Sequence, residues 1–117
     1  MDIHLLAMGE AFAFATKAGL DPHTLFDAIK GGFAQSAVMD VKVPKLLSRD
    51  FSASARIAVH LKDINNAMEV VEHLGVELPM TKIVKEQMDW MDAHGMIDED
   101  QCALAKYYEN SMGVEIK

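Results

Sequence analysis

The most regular apolar pattern in the chain surrounds the segment HLKDINNAM, residues 60–68. Apolar residues recur there at steps of three and four, which is the spacing of one face of an α-helix. They are Ile57, Leu61, Ile64, Met68, Val71 and Leu74. The pattern predicts a long helix over residues 55–74, with this stripe facing the core and a glycine closing the C-terminal end.

Lys62 directly follows the stripe residue Leu61, and this position allows two interpretations. The lysine methylenes can lie along the apolar core while the ammonium reaches water. Alternatively, the ammonium lines a cleft and holds an anionic group of a substrate or cofactor. Spacing alone favours the first interpretation and leaves the second open.

The N-terminal half of the chain predicts three helices. The first covers residues 3–18 and ends before a glycine. The second begins with Asp21 as N-cap and Pro22 in the first turn, a common arrangement at helix starts. Ser36 caps the third helix, which Pro44 must kink or end because proline lacks an N–H donor.

The C-terminal half predicts two helices besides that of residues 55–74. One covers residues 79–93, and the other begins at Asp98 or Asp100 and reaches about Met112. No segment shows the alternation of period two that is typical of a half-buried strand. The sequence therefore predicts an all-α fold, a bundle of about six helices in a single domain over residues 1–117.

The first predicted helix begins almost at residue 1, without a capping sequence ahead of it. Either the chain is cut from something longer, or Asp2 serves as an improvised cap. The residues alone leave both explanations open.

Composition excludes several classes of protein. The formal charge of −7 on 117 residues argues against nonspecific binding to nucleic acid or to an anionic membrane. No apolar run approaches the roughly 20 residues needed to span a bilayer, and the start lacks the basic region of a signal peptide. Because the single cysteine cannot form an internal disulfide, we expect a cytoplasmic protein.

Other residues that could carry chemistry have simpler explanations. His60, His73 and His94 lack the spacing of a metal site, so no metal is predicted. Cys102 has no basic partner nearby in sequence and is expected to be a buried, inert thiol. Two glycines open the segment of residues 31–36, which follows a helix and is interpreted as a turn between helices, not a phosphate loop.

Four segments together resemble one protein family. They are EAFAFATKAGLDP at residues 10–22, AIKGGFAQS at 28–36, HLKDINNA at 60–67 and GMIDEDQCALAKYYE at 95–109. In this order they resemble the C-terminal domain of β-hydroxyacid dehydrogenases, the family of 3-hydroxyisobutyrate and 6-phosphogluconate dehydrogenases. The likeness covers nearly the whole chain.

The resemblance implies an enzyme in two parts. An N-terminal Rossmann domain, absent from this chain, binds NAD or NADP, and the all-α domain completes the active site. The family's catalytic lysine lies in a glycine-rich segment that would precede Met1, so no catalytic residue is expected in this chain. The implied cofactor- and substrate-binding residues here are Lys62, facing the nicotinamide and the substrate, and its neighbour Asp63. With the resemblance included, the functional interpretation of Lys62 is preferred.

The implied reaction is reversible hydride transfer between the nicotinamide and a small anionic hydroxy acid or semialdehyde acid, such as tartronate semialdehyde. The isolated chain is expected to be inactive. Three departures from the family pattern, Ala55, Ile97 and Cys102, leave the substrate open. The apolar first and fourth helices predict a homodimer or higher homo-oligomer. The alternative function is that of a stand-alone helical interaction or regulatory module.

Overall fold

The computed structural model describes residues 1–117 and consists of helices, with no β-strand. The all-α class and the number of α-helices are confirmed. The elements are α1 (Asp2–Lys17), α2 (Pro22–Ile29), α3 (Ala37–Leu47), α4 (Ile57–Leu74), α5 (Pro79–Ala93), a 3-10 helix (Gln101–Leu104) and α6 (Ala105–Met112).

Local capping explains where several helices begin. The Asp21 carboxylate accepts a hydrogen bond from the backbone N–H of Thr24 at 2.8 Å and caps α2. Ser36 Oγ accepts from the N–H of Met39 at 3.1 Å and caps α3, as predicted. Of the two aspartates proposed to begin the last helical segment, Asp100 is the cap of the 3-10 helix.

The central element is α1, which packs against α6, the 3-10 helix, α2, α3 and α5. Gly9 allows α1 and α6 to approach closely. A Cβ at that position would lie 3.1 Å from the Cα of Ala105 and 3.2 Å from Cδ2 of Tyr108. The buried core fills the space around α1 with apolar side chains from every other α-helix except α2, whose Leu25, Phe26 and Ile29 pack against it half-buried.

The prediction that the α4 stripe faces the core holds for its first half, where Leu61 and Ile64 pack against the core, and is wrong at its C-terminal end. Ile57 is fully buried, but Leu61 and Ile64 are half-buried and Leu74 is 64% exposed. The reason is that α4 packs chiefly against α5, so the C-terminal end of its apolar stripe does not reach the core. The helix also begins at Ile57 and not at residue 55.

Two further predictions near helix ends are corrected. The prediction that Pro44 could end α3 is wrong, since the helix continues to Leu47. Proline leaves the carbonyl of Asp40 without its helical donor, and both residues are exposed, so water can replace that donor. Asp2 is not an improvised cap, because α1 begins without any hydrogen bond from a capping side chain.

A buried carboxylate fixes the segment that leads into α4. Asp100 is fully buried, and its oxygens accept hydrogen bonds from Lys42 Nζ at 2.9 and 3.1 Å and from Ser54 Oγ at 2.7 Å. Burial alone would raise the pKa of Asp100, but hydrogen bonds from Cys102 N–H, Ser54 and Lys42 outweigh it and hold that pKa well below its usual range. Asp100 therefore ties α3 to the start of α4.

Candidate functional site

The predicted binding residues Lys62 and Asp63 lie on the second turn of α4, and both are exposed. Neither side chain forms a hydrogen bond or an ion pair within the chain. Most other lysines are in a salt bridge, including Lys30, Lys42 and Lys85. Lys62 is thus a cation that is available to an anionic ligand.

The same part of α4 is attached to the beginning of α1. Nδ1 of His60 lies 2.7 Å from Oδ1 of Asp2, and each side chain is only 18% exposed. Lys62 follows His60 by two residues, which is about 3 Å along the helix axis. Lys62 therefore lies near this level of α4, but its side chain does not face the same side of the helix as that of His60.

A second surface borders the first turn of α1. A cavity of about 370 Å³ lies between α1, α2 and the segment that connects α2 to α3. Its floor is apolar and is formed largely by Met8 and Phe12 of α1, while His4, Gln35 and Ser36 supply polar atoms. This surface can enclose a small molecule that is partly apolar and offers hydrogen-bonding groups.

Residues 33–36 of the turn at 31–36 line this cavity, which the interpretation of the turn as a simple connection did not anticipate. Phe33 lies fully exposed at the cavity edge, where a solvated turn would normally carry a polar residue. His4 was also missed, because a single histidine on a helix has no local pattern that marks it. The exposed phenylalanine after two glycines was the available signal.

The contact with α4 and the cavity both involve the first turn of α1, but they do not share residues. Asp2 contacts His60 on α4, whereas His4 lines the cavity beside α2. Neither Lys62 nor Asp63 lines that cavity. The beginning of α1 therefore contacts His60 of α4 and lines the apolar cavity, while Lys62 lies two residues further along α4 and apart from both.

The other candidate residues have structural roles or lie apart from Lys62 and the cavity. Burial raises the pKa of the Cys102 thiol to about 12, which agrees with the predicted buried, inert cysteine. His94 stacks on Trp90 with ring centroids 4.0 Å apart, and His73 is exposed on α4. The structure holds no group of three or more side chains that could bind a metal ion together. None of its helices is both long and apolar enough to cross a membrane.

A family profile described as "NAD-binding of NADP-dependent 3-hydroxyisobutyrate dehydrogenase" matches residues 1–108. The chain belongs to the 3-hydroxyisobutyrate dehydrogenase family. The members of this family are NAD(P)-dependent dehydrogenases and reductases. The resemblance seen in the sequence is confirmed.

Two relatives within the 3-hydroxyisobutyrate dehydrogenase family show how much is shared. The 2-hydroxy-3-oxopropionate reductase of Escherichia coli (strain K12) is 35% identical over 107 residues, covering 92% of this chain and 37% of the relative. The 2-(hydroxymethyl)glutarate dehydrogenase of Eubacterium barkeri is 29% identical over 114 residues, covering 97% of this chain and 38% of the relative. The chain thus spans little more than a third of the length of these relatives.

Solved structures of the same family share the fold. The crystal structure of 3-hydroxyisobutyrate dehydrogenase from Salmonella typhimurium superposes with a TM-score of 0.84 at 20% identity, covering 90% of this chain and 37% of that one. The Mycobacterium tuberculosis 3-hydroxyisobutyrate dehydrogenase, solved with L-serine, superposes with a TM-score of 0.79 at 25% identity, covering 90% of this chain and 38% of that one.

Proposed function

We propose that this chain is the C-terminal, all-α part of an NAD(P)-dependent β-hydroxyacid dehydrogenase. It would complete the active site for reversible hydride transfer to a small semialdehyde acid such as tartronate semialdehyde, which is 2-hydroxy-3-oxopropionate. The observation that carries the proposal is Lys62, which is exposed on the second turn of α4 and has no ion-pair partner within the chain. The 35% identity to the Escherichia coli reductase supports this choice of substrate.

The residues of this chain could bind only part of a dinucleotide. Lys62 can hold an anionic group, and the cavity beside His4 can enclose a small, partly apolar one. A pyrophosphate is usually held by a glycine-rich loop between a strand and a helix, and this structure has no strand. We therefore propose that a dinucleotide-binding domain outside this chain holds most of the NAD or NADP.

The chain's own contribution is to bind and orient the substrate. When bound, the nicotinamide supplies the hydride for reduction or accepts it in the reverse direction. Lys62 would donate charge-assisted hydrogen bonds to the substrate carboxylate or to a charged group of the cofactor, which is worth about 1.5–3 kcal/mol. Asp63 would hold the Lys62 ammonium in position or form an additional contact next to one of these hydrogen bonds. The family resemblance assigns protonation of the nascent alkoxide to a lysine outside this chain.

We also propose that the protein is a homodimer or a higher homo-oligomer. Phe14 of α1 is 67% exposed, and Val59 and Val70 of α4 are 51% and 56% exposed. Apolar side chains that remain exposed on two helices support self-association, since monomeric proteins rarely expose large contiguous apolar patches.

The proposed reaction is tested by joining the chain to a dinucleotide-binding domain. The N-terminal portion of the Escherichia coli 2-hydroxy-3-oxopropionate reductase is fused before Met1, and oxidation of NADH or NADPH is followed with tartronate semialdehyde. We expect turnover by the fusion and none by the purified chain alone. Turnover by the chain alone, free of host enzymes, would contradict the proposal that a domain outside this chain binds the dinucleotide.

The DNA upstream of codon 1 separates this function from the alternative of a stand-alone helical module. An open frame encoding a strand, a Gly-x-Gly-x-x-Gly turn and a helix supports the dehydrogenase. A ribosome-binding site without such a frame supports the module.

A further inference from the structure

The segment that leads into α4 is held more by hydrogen bonds than by burial. We call residues 51–56 the entry segment, and none of them is buried. Its main chain pairs with residues 97–101, where the N–H of Asp100 donates to the carbonyl of Phe51 at 3.0 Å. The pairing continues into α4, because the N–H of Ile57 donates at 3.1 Å to a carbonyl of the same stretch. The entry segment and the start of α4 are therefore docked together on residues 97–101.

One buried carboxylate completes this docking. Oδ2 of Asp100 accepts hydrogen bonds from Ser54 Oγ at 2.7 Å, from the Ser54 N–H at 3.0 Å and from the Ala55 N–H at 3.3 Å. Its Oδ1 accepts from the N–H of Cys102 at 3.0 Å and from Lys42 Nζ at 2.9 Å, which fix the carboxylate on the body of the domain. Since α4 has no side-chain cap of its own, Asp100 is the side chain that fixes the backbone ahead of it.

The direction of α4 depends on how its start is held. Beyond Ala58, its only hydrogen bond to a distant part of the chain is that of His60 with Asp2, and it packs chiefly against α5. Lys62 lies five residues beyond Ile57, which is about 7.5 Å along the helix axis. A tilt of about 10° at the start of α4 would therefore displace Lys62 by roughly 1.3 Å. Misplacing a binding group by about 1 Å can slow catalysis by roughly a hundredfold.

We propose that Asp100 is a positioning residue of the proposed reaction: by holding the entry segment, it places the Lys62 ammonium against the anionic group of the substrate. The positioning role rests on the proposed function, because it requires that Lys62 binds the substrate. Asp100 is fully buried, so it acts on the substrate only through α4.

The first test removes one hydrogen bond of Asp100 and keeps its charge. Ser54→Ala deletes the hydroxyl that donates to Asp100, and because Ser54 is exposed the domain should stay folded. In the active fusion with the reductase's N-terminal portion, KM for tartronate semialdehyde should rise about three- to tenfold, with kcat changed by less than about twofold. Ser54→Thr keeps the hydroxyl and should retain the KM of the unaltered fusion. Ser52→Ala is the matched control and should leave KM unchanged, since the Ser52 hydroxyl lies in the same segment but bonds Asp50.

The second test determines whether the effect passes through Lys62. Ser54→Ala is combined with Lys62→Met in the same fusion. If Asp100 acts by placing the ammonium, adding Ser54→Ala should not raise the KM of Lys62→Met any further. A general loosening of the domain would instead raise KM by the same factor in both backgrounds and lower the melting temperature.

The outcomes separate the positioning role from the proposed function. If Ser54→Ala leaves KM unchanged, or raises it equally with and without the Lys62 ammonium, the positioning role of Asp100 is overturned and the proposed function stands. An inactive fusion, or normal kcat/KM in Lys62→Met, overturns the proposed function and the positioning role together. The melting temperature of each variant is measured alongside, so that a loss of folding is not mistaken for a change in KM.

Discussion

The imidazole of His60 and the carboxylate of Asp2 lie 2.7 Å apart and join the start of α4 to the start of α1. This contact is the side-chain hydrogen bond that links the two helices. Because α1 begins without a side-chain cap and α4 packs chiefly against α5, the contact fixes how these two helix starts are placed. It thereby sets the position of Lys62 relative to α1.

Removing the imidazole should loosen the start of α1. His60→Ala deletes a largely buried hydrogen bond, so we expect a loss of about 0.5–1.5 kcal/mol in the free energy of unfolding. Hydrogen exchange should quicken in the first two turns of α1 and remain unchanged in α6. His73→Ala is the matched control, since His73 is exposed on the same helix and forms no hydrogen bond. Equal effects of the two variants would contradict a specific role for the contact.

Neutralising the buried carboxylate should be far more costly. Asp100→Asn leaves the buried ammonium of Lys42 without its counter-charge, so we expect a loss of about 3–5 kcal/mol in the free energy of unfolding by denaturant titration. Asp98→Asn is the control, since its ion pair with Arg56 lies at the surface and is worth about 0–1 kcal/mol. A loss for Asp100→Asn as small as that of the control would contradict a structural role for the buried pair.

The pKa of Asp100 also predicts how stability depends on pH. Because its folded-state pKa is lowered, its contribution is fully present above the unfolded pKa of about 3.9 and is lost as pH falls through the lower folded value. The denaturant midpoint of the unaltered chain should therefore fall more between pH 4 and pH 2 than that of Asp100→Asn. Parallel curves for the two proteins would show that Asp100 does not contribute in this range.

The ends of the helices could be predicted because capping is local. Asp21 and Ser36 each bond a backbone N–H three residues away, and Gly75 has the left-handed φ of +64° that ends α4. The packing of α4 could not be predicted in the same way. Its apolar spacing is the same whether it meets one helix or a layered core, so Leu74 was expected to face inward but is exposed.

Of the candidate site, only the residues that the family resemblance assigned could be predicted from the sequence. Lys62 and Asp63 were singled out by resemblance, since spacing alone gave Lys62 a simpler explanation. The contact of His60 with Asp2 spans 58 positions in the sequence, and nothing near either residue marks the other. The cavity beside His4 likewise forms only when α1, α2 and the following turn come together.

The close approach of α1 and α6 predicts an effect of adding a single methyl group. Alanine is favoured over glycine within a helix by about 1 kcal/mol, but at Gly9 its Cβ would lie 3.1 Å from the backbone Cα of Ala105. Since overpacking costs about 1–3 kcal/mol, we expect Gly9→Ala to lower the melting temperature. Gly31→Ala, with no atom within 4 Å of its new Cβ, should leave it nearly unchanged. A stabilised Gly9→Ala protein would show that α6 can move away freely.

The proposed role of Lys62 predicts a kinetic effect without a loss of stability. In the active fusion with the reductase's N-terminal portion, Lys62→Met removes the ammonium but keeps an unbranched apolar side chain. Loss of a charge-assisted hydrogen bond of about 1.5–3 kcal/mol should reduce kcat/KM by roughly ten- to a hundredfold. Because Lys62 is exposed and unpaired, the melting temperature should barely change. Lys17→Met, at another exposed lysine on α1, is the matched control and should leave both quantities unchanged.

If Lys62 only covers apolar surface, the opposite pattern is expected, with normal kinetics and at most a small change in stability. Normal kcat/KM in the Lys62→Met fusion would therefore remove this residue from the proposed site.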